Sequence, residues 1–209
     1  MVATIPASAV FKNRPWRSGV SGTIWNGEVG VAGGSTARWN WSPLRSLLGL
    51  GFAADWKLTG PDTELGGRVI AHPGSTTFDK VSGSANAGLL SVLKPNMPFS
   101  CDMTAQVDMP RAVTGGDDQM IQARVLTDPG SCGARGLAAR AQVPSLLFTA
   151  ETVGDVTRIR LAPATQRMTT LMSGTLSESG DLELNMTPEG ARTLPFLPLP
   201  PGTPMRMKL

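Results

Sequence analysis

Tyrosine is absent from this chain of 209 residues, and histidine occurs once, at position 72. Nucleophilic catalysis with a histidine base would have to use His72, which stands at a predicted strand end just before Pro73. No G-x-S-x-G motif accompanies it, so a histidine at the edge of a turn is the better interpretation. Two cysteines and one histidine are too few for a four-ligand structural zinc site. We therefore predict a protein that is not an enzyme and that uses no metal or cofactor.

Charged residues are also scarce, at 17% of the chain, and the 19 basic and 16 acidic residues leave a net charge of +3. The basic residues are scattered rather than interleaved with exposed aromatics, which argues against a nucleic-acid partner. No apolar run is long enough for a transmembrane helix. The first residues also lack the charged and apolar regions of a signal peptide. Two alternatives follow: a cytoplasmic protein, or one whose targeting or anchoring segment is missing from this chain.

The two cysteines, Cys101 and Cys132, admit two interpretations. An even number of cysteines fits one disulfide bond in an oxidising compartment. Two unrelated buried thiols are the alternative, and the residues alone do not decide between them.

Glycine and proline are abundant, at 24 and 17 residues, and this excludes a helical bundle. Apolar residues alternate with polar ones along most of the chain. In residues 52–59, for example, Asp55 and Lys57 are predicted to lie on one side of a strand and the apolar side chains on the other. Turn residues separate these runs at intervals typical of all-β chains. We predict a mainly β protein built on one continuous, strongly twisted or rolled antiparallel sheet of about a dozen strands. Trp25, Trp39, Trp41 and Trp56 share the apolar parity, which predicts one largely buried aromatic face.

Two short helices interrupt the strands, one near residues 43–48 and a weaker one at residues 87–93. The first has Ser42 as its predicted N-cap and Pro43 at its first position. Beyond residue 194 the chain is rich in proline and cannot continue a central strand. We therefore predict a β domain over residues 1–194 and a Pro-rich tail over residues 195–209, which runs as polyproline II or lies over the sheet.

The run at residues 20–27 resembles the S-G-T-x-W-x-G element near the start of the periplasmic region of the type II secretion system protein N family. A W-x-W-S-P-x-x-L pattern follows in the same order, and later strand and helix features agree over most of residues 1–194. The residues that carry the resemblance are Ser21, Gly22, Thr23, Trp25, Gly27, Trp39, Trp41 and Pro43.

Membership of that family would imply a β-rich domain on the periplasmic face of the bacterial inner membrane. An N-terminal membrane span, absent from this chain, would anchor it there. The partners implied are other secretion components, either the inner-membrane platform or the secretin. The periplasm is oxidising, so the resemblance also implies a disulfide between Cys101 and Cys132.

Two functions remain open at this point. The first is a non-enzymatic scaffolding or assembly subunit of the secretion apparatus, because sheet edges recruit other strands by backbone pairing. The second is a module that binds lipid or another hydrophobic ligand, because a curved sheet with one apolar face also resembles AsmA-type periplasmic proteins.

Overall fold

The structure, a computed structural model, describes residues 5–9, 17–31, 33–93 and 96–208. Within these ranges it contains three short helices, α1 (Pro43–Leu48), α2 (Gly88–Leu93) and α3 (Pro188–Thr193), and a 3-10 turn at Ala7–Ala9. The strands, in chain order, are β1 (Arg17–Gly22), β2 (Asn26–Val31), β3 (Ser35–Trp41), β4 (Phe52–Gly60), β5 (Thr63–His72), β6 (Ser75–Asn86), β7 (Phe99–Asp102), β8 (Thr104–Thr114), β9 (Met120–Thr127), β10 (Gly130–Ala134), β11 (Ala141–Val143), β12 (Leu146–Val153), β13 (Val156–Pro163), β14 (Met172–Ser177), β15 (Asp181–Met186) and β16 (Met205–Lys208).

One sheet of 13 antiparallel strands dominates the fold. Its spatial order follows the chain, β1 to β6, then β8, β9, β12 to β15 and β16, because short turns pair each strand with one close to it in sequence. The predicted mainly β class and the predicted antiparallel sheet of about a dozen strands are confirmed. β7, β10 and β11 form a separate sheet of three strands, whereas one continuous sheet was predicted.

The large sheet has one apolar face and one charged face. Directly opposed residues of paired strands lie on the same face, and Trp39 opposes Trp56 while Leu58 opposes Leu65. The other face carries ion pairs between neighbouring strands, each of which adds little stability because its members are exposed. These pairs are Arg38–Glu28 at 3.0 Å, Lys57–Glu64 at 2.7 Å and Arg206–Glu183 at 2.9 Å.

The largest buried cluster lies where the small sheet packs against the large one. It joins residues of both sheets to the chain after α3, and its buried members are Cys132, Val143, Leu146, Leu171 and Leu194. Cys101 opposes Cys132 across β7 and β10, and the two are joined by a disulfide bond. The bond therefore links two neighbouring strands of the small sheet.

The segment after residue 187 is more ordered than the sequence suggested. Pro188 begins α3, and the Thr187 side chain accepts a hydrogen bond from the Gly190 N–H at 3.0 Å as its N-cap. Phe196 then packs against Phe99, with ring centroids 5.7 Å apart. The last described residues form β16, which pairs with β15 at the edge of the large sheet.

Candidate functional site

The residues that carry the family resemblance gather at one end of the large sheet. The β1–β2 hairpin turns there, β3 ends there, and β4 begins there after α1. We call the indole and phenyl rings of Trp25, Trp39, Trp41 and Phe52 the aromatic cluster. The disulfide between Cys101 and Cys132 lies in the other part of the molecule, with the small sheet.

The turn between β1 and β2 shows why the motif contains Gly22 and Thr23. Gly22 has a φ of +85°, and a Cβ there would lie 2.5 Å from the Asn26 carbonyl oxygen. The backbone N–H of Thr23 donates to that same oxygen at 2.8 Å, and the Thr23 hydroxyl accepts from the Asn26 N–H at 3.2 Å. Ser21 points away from the cluster, since its hydroxyl donates to Glu28 on the charged face at 3.3 Å.

Gly27 has no side chain, and this leaves room for the ring of Trp39. A Cβ at Gly27 would come within 2.6 Å of Trp39 Cζ2, which is closer than carbon atoms can approach without a shift. The indole Nε1–H of Trp39 donates to the Ile24 carbonyl at 3.0 Å. The glycine thus permits the ring to bridge β3 and the hairpin turn.

Trp41 links the hairpin to α1. Its ring lies 4.5 Å, between centroids, from that of Trp25, and Trp25 lies 6.0 Å from Phe52. The Nε1–H of Trp41 donates to Ser46 Oγ on α1 at 2.8 Å. The same hydroxyl oxygen accepts from the Ala53 N–H at 2.9 Å, so that α1 is tied to both β3 and β4.

An ion pair fixes the beginning of α1 from the charged face. Pro43 occupies the first helical position as predicted, but the Ser42 side chain makes no N-cap bond. Instead Ser42 Oγ accepts from Arg45 at 2.7 Å and donates to Asp55 at 3.0 Å. Arg45 also donates directly to Asp55. This hydrogen bond is the largest cause of the lowered pKa of the Asp55 carboxyl; burial opposes it, and Ser42 and the charge of Arg68 add to it.

The prediction that the tryptophans are largely buried is wrong in degree. Trp25, Trp39, Trp41 and Trp56 are each half-buried. The Nε1–H of Trp56 is buried but has no hydrogen-bond partner among the described residues. The aromatic face is therefore a surface that remains partly open.

The site shows no arrangement for metal binding within the described ranges, where no three His, Cys, Asp or Glu side chains cluster. In the same ranges, no helix has the length and apolarity needed to cross a membrane. The aromatic cluster forms a mostly apolar corner, and α1 projects from it.

A comparison with protein families identifies this architecture. The family model described as Type II secretion system (T2SS), protein N matches residues 14–196, which is most of the chain. The chain belongs to the type II secretion system protein N family. Neither the curated proteins nor the solved structures gave a match. As a member of the type II secretion system protein N family, the chain is a component of a protein secretion apparatus of the cell envelope.

The range matched to the protein N family contains every motif residue and both cysteines, whereas β16 lies beyond it. Sequence reasoning missed the residues that attach α1, namely Ser46, Asp55 and His72. His72 donates from Nε2 to the Gly49 carbonyl at 2.7 Å and so holds the end of α1. The motif pattern carries no local signal for these contacts, because each joins residues that are distant in sequence or lie on different elements.

Proposed function

We propose that the chain is a non-enzymatic scaffolding subunit of the type II secretion apparatus, on the periplasmic face of the inner membrane. An N-terminal membrane span would hold it there. The observation that carries the proposal is the family match over residues 14–196. The disulfide between Cys101 and Cys132 supports an oxidising compartment such as the periplasm.

The edges of the large sheet support a role in assembly. Among the described residues, β16 pairs on one side only, with β15, and its other edge offers backbone donors and acceptors. Such an edge can add a strand from a partner protein. Arg206 and Lys208 on β16 are exposed, and charges of this kind restrict which strands can approach.

Co-purification from the envelope of the host bacterium tests this proposal. The membrane-anchored protein is crosslinked in cells, solubilised and captured through a tag. We expect secretion-platform proteins or the secretin to be enriched over a capture of an unrelated periplasmic β protein. Failure to enrich any secretion component would contradict the proposal.

A charge reversal on β16 tests whether partner proteins bind at the β16 edge. Arg206→Glu places a negative charge beside Glu183 on the exposed edge and should reduce the yield of partner proteins. Arg192→Glu on α3 is the matched control, because Arg192 has similar exposure and also pairs with a glutamate, Glu189. Equal yields from both variants would exclude the β16 edge.

The half-open apolar face favours a second candidate, a module that binds lipid or another hydrophobic ligand. The half-buried tryptophans form an apolar surface that an acyl chain could cover. Native mass spectrometry of protein purified without detergent tests this candidate. A bound phospholipid would support it, and a mass equal to that of the polypeptide alone would contradict it.

A further inference from the structure

Four leucines in and directly after α1 project into solvent. Leu44, Leu47, Leu48 and Leu50 are 76%, 73%, 84% and 84% exposed, and no residue of α1 is buried. A leucine stripe on a helix ordinarily packs against a core. We call these four side chains the leucine tip. Their exposure shows that the helix presents its apolar residues outward.

The backbone that carries the leucine tip is hydrogen-bonded within itself. The N–H of Ser46 donates to the Ser42 carbonyl at 2.9 Å, that of Gly49 to Arg45 at 2.8 Å, and that of Gly51 to Ser46 at 3.1 Å. The Gly49 carbonyl accepts from His72. A segment that enters lipid must satisfy its backbone groups in this way, because the hydrocarbon offers no partners.

Leu50 adopts a backbone conformation that leucine rarely takes. Its φ is +50°, in the left-handed region. The Leu50 N–H donates to the Leu47 carbonyl at 3.4 Å and the Gly51 N–H donates to the Ser46 carbonyl at 3.1 Å, which is the pattern of a left-handed helix C-cap. Glycine usually occupies this position, and here the cap places a fourth leucine in solvent.

A contact with a bilayer requires an apolar tip with aromatic residues at its base, and the residues around α1 are placed in this way. Residues 43–54 contain one charged side chain, Arg45, which turns back to Asp55 and leaves the tip apolar. At the base of the tip, Trp41 donates its Nε1–H to α1 and packs against Trp25. Indole rings prefer the interface between lipid headgroups and acyl chains.

The N-terminal residues approach the same end of the sheet. Ile24, in the β1–β2 turn, donates its N–H to the Ile5 carbonyl at 3.1 Å, and Ile5 is itself 40% exposed. An N-terminal anchor of the kind proposed above would therefore bring the leucine tip toward the membrane. This argument alone rests on the proposed function; the preceding ones do not.

We propose that the leucine tip inserts into the surface of a lipid bilayer, with Trp41 at the level of the headgroups. A protein partner fits the tip less well, because leucine is under-represented among the residues that dominate protein interfaces, where Trp, Tyr and Arg prevail. Insertion of exposed leucines needs only an apolar phase.

Flotation with unilamellar vesicles of phosphatidylethanolamine and phosphatidylglycerol tests the proposal on the 209-residue chain. The parent protein should float with the vesicles. Leu47→Gln combined with Leu48→Gln should lower the partition coefficient by about a hundredfold, since burial of each leucine is worth roughly tenfold or more. The matched control is Leu137→Gln with Met168→Gln, which replaces two apolar residues that are 68% and 92% exposed outside α1. The control should float like the parent.

A second variant keeps the test independent of folding. Leu50→Asn removes one leucine, and asparagine tolerates the left-handed conformation better than leucine does. This variant should melt at or above the parental temperature while its vesicle partition falls about tenfold. Loss of binding together with retained stability would separate the lipid contact from any structural role.

Three results would overturn the proposal. One is a parent protein that does not float, and another is an equal loss in the α1 and control variants. The third is a Leu47→Gln/Leu48→Gln variant that floats normally but no longer co-purifies with secretion proteins, which would assign the tip to a protein partner. Vesicle binding needs no other secretion component. The flotation assay can therefore fail while the co-purification succeeds, and the co-purification can fail while the flotation assay succeeds.

Discussion

Replacement of Gly27 by alanine tests the structural explanation of the family motif. A Cβ at Gly27 would lie 2.6 Å from Trp39 Cζ2 and 2.7 Å from the Ser21 carbonyl oxygen. The Ser21 oxygen belongs to the backbone of β1, so rotation of the Trp39 ring cannot relieve both contacts. Overpacking of this kind costs about 1–3 kcal/mol in the free energy of unfolding.

Thermal unfolding followed by circular dichroism measures the effect. In a domain of this size, 1 kcal/mol corresponds to about 2–4 °C, so we expect Tm to fall by a few degrees to about ten. Gly19→Ala is the matched control in the same hairpin, because a Cβ there has no atom within 4 Å. Its Tm should be unchanged or slightly higher, since alanine loses less backbone entropy than glycine in a strand.

A double variant separates the ring from the backbone. When Trp39→Leu is combined with Gly27→Ala, the loss should be smaller than the sum of the two single losses, because the contact with the ring is gone. Parental melting of Gly27→Ala would refute the explanation. Equal losses in Gly27→Ala and Gly19→Ala would refute it as well, because of these two glycines Gly27 alone lies beneath a tryptophan.

Three further predictions follow from the disulfide, the ion pair and the unpaired indole. Replacement of both Cys101 and Cys132 by serine should lower the free energy of unfolding by about 3–4 kcal/mol, because the bond closes a loop with a sequence separation of 31, and chemical denaturation measures it. Asp55→Asn should cost at most about 1 kcal/mol near neutral pH, since the pair with Arg45 is part-exposed. The lowered pKa of Asp55 makes its contribution fully present above the usual carboxyl value of 3.8, and it is lost as pH falls through the folded-state pKa; the difference between parent and variant should therefore shrink in unfolding curves taken below about pH 4. Trp56→Phe removes a buried N–H that has no partner among the described residues, so its loss in Tm should be smaller than that of Trp41→Phe, which breaks a hydrogen bond to α1.

The strands could be predicted from sequence because their signal is local. Polar and apolar residues alternate along a strand, as Asp55 and Lys57 do with Trp56 and Leu58. This alternation shows which side of the strand faces the core. Pairing between consecutive strands then follows from short turns. The parity of Trp39, Trp41 and Trp56 was predicted correctly for the same reason, whereas Trp25 lies in the turn between β1 and β2, outside both strands.

Whether another part of the chain covers the apolar face of the sheet could not be predicted, because this depends on contacts between segments that are distant in sequence. Parity places Trp39 and Trp56 on the apolar face but does not say whether another layer lies over them. The leucines of α1 form a stripe whose partner is missing from the described residues. The three-stranded sheet likewise joins β7 to β10 and β11 across long sequence separations.

The C-terminal segment contained one signal that could have been used. Thr187, Pro188 and Glu189 make a standard helix start, with an N-cap, a proline at the first position and an acid in the first turn. β16 had no comparable signal, because four residues after a Pro-rich stretch carry little periodicity. β16 pairs with β15 because β15 would otherwise be the last strand of the large sheet, and the order of strands in a sheet is not visible in the sequence.

Secretion by the host bacterium tests the central claim most directly. Cells that lack this chain should accumulate folded cargo of the type II apparatus in the periplasm, and the membrane-anchored parent protein should restore its appearance in the medium. The Gly27→Ala variant, expressed at an equal level, should restore it less well than Gly19→Ala does. Cargo that reaches the medium at normal levels without the chain would contradict its assignment as a working subunit of the apparatus.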